Sequence, residues 1–189
     1  MAGTVVATGD HWLIRFERPF GLPQDRVWTA LVGPGQMNRW FDRTEMPVEL
    51  KLGLVIRFVH ERLGLQSLGL ITALDPPRLI QWEWSGPFGA PSTVRWALAP
   101  DGDRCIVTLT QTIEDPSLLA RTLAGWDLCL DRLDAVLTGQ SSSAGGGRWP
   151  ALFDDYRELV ATLGIAAEQQ GAPPSGATGS TGAAPPSRP

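Results

Sequence analysis

The stretch from Asp115 to Gly139, DPSLLARTLAGWDLCLDRLDAVLTG, decides the fold. Leu119, Leu123, Trp126, Leu130, Leu133 and Leu137 recur at alternating steps of four and three residues, which places all six on one face of an α-helix. Asp115 has the side chain of an N-cap, Pro116 suits the first helical position and Gly139 suits the stop. At 1.5 Å per residue such a helix is about 35 Å long. So continuous an apolar face needs a broad partner surface. Ala124 and Gly125 interrupt the large side chains beside Trp126, and Gly in a helix interior costs about 1 kcal/mol relative to Ala. Two explanations stand: a close helix–sheet approach, or room left for a ligand.

The partner surface lies upstream. Thr4 to Ala7 is a short extended piece before a turn at Thr8-Gly9-Asp10. His11 to Arg18 alternates, with Trp12, Ile14 and Phe16 on one side, and reads as a strand; Pro19 to Pro23 reads as a loop. Gln24–Val32 and Gln36–Phe41 are two short helices parted by Gly33-Pro34-Gly35, too short to stand without the main body. Strands are expected over Glu45–Leu50, Leu54–Val59, Gln66–Leu74, Leu79–Trp84, Thr93–Ala99 and Arg104–Ile113. Lys51-Leu52-Gly53, Asp75-Pro76-Pro77 and Asp101-Gly102-Asp103 supply the turns between them. Short turns between successive strands predict an antiparallel meander, and with the closing helix an α+β fold.

Parity sorts the faces. Ile80, Trp82 and Trp84 share a side, as do Val94, Trp96 and Leu98, and as do Cys105, Val107, Leu109 and Ile113 with Gln111 among them. The threonines 108, 110 and 112 face solvent, as do Glu83 and Arg95. After Gly139 a Ser/Gly linker is expected over 140–148, a further helix over Trp149–Leu163, and a disordered Pro/Gly/Ala/Ser-rich tail from 165 to 189. The chain thus divides into a main domain, 1–139, a linker, a helix (149–164) and a tail.

Composition narrows the function. Hydrophobic residues make up 43% of the 189, enough for one sizeable core, and eight Trp against one Tyr favour aromatic packing. A net charge of −4 argues against general nucleic-acid binding, which shows a basic face. Cys105 and Cys129 form neither a metal-ligand spacing nor a redox CxxC, and Cys105, inward by parity, reads as a small core residue. No apolar run approaches the ~18 residues of a membrane span, and the N-terminus lacks the charged and apolar regions of a signal peptide. A cytoplasmic protein with reduced thiols is the expectation, without metal or cofactor.

The chemistry-bearing residues are few. His11 follows a turn and reads as exposed. His60 stands at a strand end, where the adjacent Glu61 points to the other face and cannot orient it as a base. There is no GxSxG elbow, HExxH pair or phosphate-binding glycine loop. Gln111 is the polar residue of interest, because a buried amide needs partners; backbone, water or a ligand would each serve. Ser85 to Pro91 is a Gly/Pro-rich loop carrying Phe88, either an ordinary turn or the gate of a pocket.

The run Arg18 to Leu31, RPFGLPQDRVWTAL, followed by Met37-Asn38-Arg39-Trp40-Phe41, resembles the opening signature of the heat-shock protein 90 ATPase activator-like family of the START-like (SRPBCC) superfamily. Gly69 to Pro77 with Leu79, Trp82 and Trp84, then Val107 to Gln111, then Gly125-Trp126 with Leu130 and Leu133, are similar to that family's later strands and closing helix. The resemblance covers about His11 to Leu137. Val32 and Gln111 depart from it, standing where Thr and His are frequent. It implies the helix-grip fold, a curved antiparallel sheet around the long helix, with an apolar cavity between them. Trp82, Trp84, Trp96, Leu109, Gln111, Leu123, Trp126 and Leu130 are the residues expected to line that cavity around a small hydrophobic molecule. The resemblance also admits a chaperone-associated stress-response protein, or a cyclase- or hydrolase-type enzyme.

Overall fold

A computed structural model describes residues 2–86, 91–140 and 147–164. The tip of the loop at 85–91, residues 141–146 of the expected linker and the whole tail lie outside these residues. Eight strands form one antiparallel sheet: β1 (Thr4–Thr8), β2 (His11–Phe20), β3 (Arg43–Glu45), β4 (Val55–His60), β5 (Leu65–Asp75), β6 (Leu79–Ser85), β7 (Ser92–Asp101) and β8 (Arg104–Ile113). Their order is β1-β2-β8-β7-β6-β5-β4-β3, so β3 to β8 is a meander that β2 joins at its far side. Three helices complete the described chain: α1 (Gln24–Val32), α2 (Leu119–Leu137) and α3 (Trp149–Thr162).

The concave face of the sheet grips α2. Ile14, Phe16, Phe58, Ile80, Trp82, Trp96 and Leu109 are each at most 1% exposed. Five members of the helical stripe, from Leu119 to Leu133, are buried among them, and Leu137 at the end is half-buried. Asp115 caps as its sequence position requires: its Oδ1 accepts the Ser117 N–H at 2.9 Å, and Pro116–Leu118 form a 3-10 turn before α2. Gly69 has a packing reason: a Cβ there would lie 2.8 Å from the Trp82 ring and 3.0 Å from Phe58.

Three expectations need correction. The strand over Glu45–Leu50 stops at Glu45, because Pro47 lacks an N–H and restricts the residue before it. The loop from Pro19 is instead strand as far as Phe20, with Pro19 opposite Ile106. Proline is tolerated because β1 ends at Thr4, opposite Arg15, leaving no neighbour on that side to need its N–H. The second short helix shrinks to a 3-10 turn, Met37–Arg39. Trp40 then packs edge-on against Trp96 at 5.7 Å and donates its Nε1–H to the Ala30 carbonyl at 3.0 Å, satisfying a group that the end of α1 leaves open.

The helix after the linker docks back. Tyr156 of α3 donates its hydroxyl hydrogen to Asp127 of α2 and accepts the Gly3 N–H at 2.8 Å. Arg18 of β2 bonds both Asp127 and Asp131, and Arg148 also reaches Asp131. N-terminus, sheet, α2 and α3 thus meet at one buried polar cluster on the side of α2 away from Gly125.

Candidate functional site

The inward face of the sheet is not filled everywhere. A cavity of about 500 Å³ opens between the inner ends of β4, β6, β7 and β8 and one flank of α2. Its α2 wall is formed by Arg121, Gly125, Leu128, Cys129 and Arg132. At ~100° per residue these positions lie roughly a third of a turn round the helix from the leucine stripe. Gly125 therefore faces open space: a Cβ added there meets nothing within 4 Å. Of the two explanations for the small residues, Gly125 makes room and Ala124, fully buried, allows the close approach.

The floor is aromatic. Phe41 stacks on Trp126 with centroids 5.5 Å apart and planes 19° from parallel, and Trp84 leans on both at 6.2 and 6.0 Å. Trp149, at the start of α3, contributes to the wall and stacks on Phe153 at 5.0 Å.

Two polar chains end at this floor, and donor-only indoles fix their direction. Trp126 Nε1–H must donate, so Gln111 presents Oε1 to it at 2.6 Å and its amide nitrogen donates to Ser92 Oγ at 2.9 Å. In the second chain Trp84 Nε1–H donates to Ser67 Oγ at 2.8 Å. With His60 neutral, the Ser67 hydroxyl then donates to His60 Nε2 at 2.9 Å, and His60 Nδ1–H donates to Asp42 Oδ2 at 2.7 Å. Carboxylate, imidazole and hydroxyl occur here in the order of a nucleophile triad. Ser67, however, is 4% exposed, is not on the cavity wall, and already carries the Trp84 N–H. The chain holds Trp84 and His60 in place.

Cys129 stands on the wall as well. Burial pushes its thiol up to about 12, outweighing the opposite pull of Arg132 and assisted by Asp42. It remains a neutral thiol at physiological pH. Burial also raises Cys105. His11 is about one-third exposed and pairs with Asp10 at 3.1 Å, which lowers the Asp10 carboxyl chiefly through that hydrogen bond. Arg95 donates to Gln81 on the outer face at 3.2 Å, and Glu83 is exposed. Among the described residues no cluster of three or more His, Cys, Asp or Glu could hold a metal ion, and no helix is long and apolar enough to cross a membrane.

Of the residues expected at the cavity, Trp84, Gln111 and Trp126 stand on its wall. Trp82, Trp96, Leu109, Leu123 and Leu130 do not: the first three lie on the sheet's inward face where the leucine stripe fills the space, and the last two belong to that stripe. Phe41, His60, Ser92, Cys129 and Arg132 were not foreseen. The Trp40-Phe41 pair was a signal for the first of these. For His60 the orienting partner is Asp42, eighteen residues earlier, rather than the adjacent Glu61.

The model of the family described as "Activator of Hsp90 ATPase homolog 1-like protein" matches residues 22–138, more than half of the chain. The fold is similar to the crystal structure of CalU16 from Micromonospora echinospora, at a TM-score of 0.66 and 24% identity over 84% of this chain and 94% of that one. It is similar to the conserved protein of unknown function EF2215 from Enterococcus faecalis, at a TM-score of 0.70 and 17% identity over 85% and 91%. DynU16, a protein of the dynemicin biosynthetic locus, aligns at a TM-score of 0.61 and 24% identity over 69% of this chain and 49% of its own. At these identities the structures show a shared helix-grip fold and no more. The chain has no match among curated proteins.

Proposed function

The chain belongs to the activator of Hsp90 ATPase homolog 1-like family, and on that premise we propose that it is a non-enzymatic binding module which holds a small hydrophobic molecule between the sheet and α2. The observation that carries the reading is the ~500 Å³ cavity floored by Phe41, Trp84 and Trp126, at a point where the long helix drops its side chain to Gly125. Concave, mostly aromatic walls with a few convergent polar groups are the usual form of a small-molecule site. A ligand burying about 250 Å² of apolar surface would gain roughly 6 kcal/mol before ordering costs, at ~25 cal/mol per Å². Gln111 and Ser92 would orient it. The closed hydroxyl of Ser67 and the neutral thiol of Cys129 favour binding over covalent chemistry.

Native mass spectrometry of protein purified from its own host tests this. A reproducible extra mass that is lost on denaturation supports the proposal. A bare polypeptide mass, together with no gain in melting temperature across a panel of lipids and polyketides, sinks it.

A second reading, interaction with a chaperone, draws on a different surface. Leu54, Val55, Leu68 and Leu70 lie at 39–46% exposure on β4, β5 and the turn before them. Val55 sits opposite Leu70 across the strand pair. Contiguous apolar surface of this kind is a common mark of protein contact.

A further inference from the structure

We propose that the molecule held in this cavity is an amphipathic organic anion, with its acidic group seated against Arg132. The inference rests on the cavity being a ligand site and adds the ligand's charge and orientation. Arg132 lies on the cavity wall two helical turns beyond Gly125, and among the described residues it makes no hydrogen bond or ion pair. No neighbouring group is paired with it. Cys129, one turn back, is held protonated by burial. Asp42 faces the same end and keeps its charge, its Oδ2 accepting the His60 Nδ1–H, but no ion pair joins it to Arg132.

A neutral apolar occupant would cover the guanidinium without pairing it, and stripping water from an unpaired charge is costly. An occupant with a carboxylate or sulfonate at that end accepts the paired N–H groups that guanidinium offers. The inner wall points the same way. Gln111 Oε1 is occupied by Trp126, and Ser92 Oγ receives the Gln111 amide. Among what remains to meet a ligand are the second Gln111 N–H and the Ser92 O–H, both donors. Of the acids on the wall, Glu114 and Asp115 stand beside the start of α2, at the end away from Arg132, and Asp42 alone shares the end of Arg132. The spare donors near the aromatic floor and at Arg132 suit an acceptor-rich molecule whose negative charge pairs with the guanidinium.

A matched pair of dyes tests the proposal: 1-anilinonaphthalene-8-sulfonate, and N-phenyl-1-naphthylamine, which lacks only the sulfonate. The expected result is that the full chain binds the sulfonate at least tenfold more tightly, and that added salt narrows the gap. Arg132→Met should remove most of that preference, leaving the neutral dye's affinity within twofold and the melting temperature of the free protein within a few degrees. Arg132→Lys should keep part of the preference. Gly125→Leu should abolish binding of both dyes. If Arg132→Met leaves the sulfonate preference intact, or Arg121→Met removes it instead, the assignment to Arg132 is wrong while the cavity reading survives. If Gly125→Leu changes neither dye, the binding is elsewhere and both readings fall.

Discussion

Gly125 illustrates how a single residue can be costly to a fold and necessary to a site. Its lack of a side chain weakens the middle of α2 by about 1 kcal/mol relative to Ala, and nothing in the core requires the space. Gly125→Ala should therefore raise stability by about that amount in chemical denaturation, whereas a larger residue there should fill the cavity. Ser67 is the opposite case. Ser67→Ala leaves the Trp84 N–H and His60 Nε2 buried without a partner, and should cost about 1–3 kcal/mol. A cost under ~0.5 kcal/mol would show that the chain does not hold Trp84. Cys129 contributes to the alkaline limit. An acid whose folded pKa lies above its unfolded value stabilises the fold only while it stays protonated. The thiol, near 9.0 unfolded and about 12 folded, should make stability fall as pH rises from about 9, and Tyr156, also raised, adds to the slope above 10. Cys129→Ala should flatten that decline in melting curves taken between pH 8 and 11. Gln111 was legible from alternation alone, because parity along one strand is a local property. Asp42 and Ser67 were not, since what joins them is the curvature that brings β4, β5 and the 3-10 turn together.

At the scale of elements, the leucine stripe of α2 was readable to the residue, and the hairpin of β7 and β8 was readable in outline, though β7 runs on past Ala99 until Asp101 pairs with Arg104. The cavity-facing flank of the same helix was not. Arg121, Cys129 and Arg132 carry no apolar period, so only the shape of the sheet reveals that they face a hollow. The strands that failed did so at proline, where the missing N–H matters according to which neighbour is present. The helix α3 has its own energetic role. It covers α2 with Leu152, Tyr156 and Val160, and Tyr156 completes the donors around Asp127 that Arg18 begins. Tyr156→Phe should cost about 1–3 kcal/mol, the range for a buried group that loses a partner, and should do so in thermal or urea unfolding with the dye-binding site intact. Equal loss of binding and stability would mean that α3 shapes the cavity as well as bracing α2.

For the whole molecule, the architecture separates two surfaces. The concave side holds the core and the cavity, and the convex side of β4 and β5 leaves Val55, Leu68 and Leu70 in solvent. Charged substitutions on the convex side, such as Leu68→Glu with Leu70→Lys, should leave folding and dye affinity nearly unchanged. Under the chaperone reading they should abolish co-purification with the partner, and if co-purification persists, that surface is not the contact. The overall fold was visible in the sequence because every part of it rests on short-range signals: alternation, turns and one long helical period. The hollow was harder to see, because it arises from the mismatch between a curved sheet and a straight helix.

The tryptophans of the floor have one further consequence. Trp84, Trp126 and Trp149 border the cavity, whereas Trp82 and Trp96 are sealed away from it. The protein thus carries its own optical reporter: filling the hollow changes the surroundings of the indoles that border it. Occupancy can be followed through intrinsic emission, with no label attached to the chain.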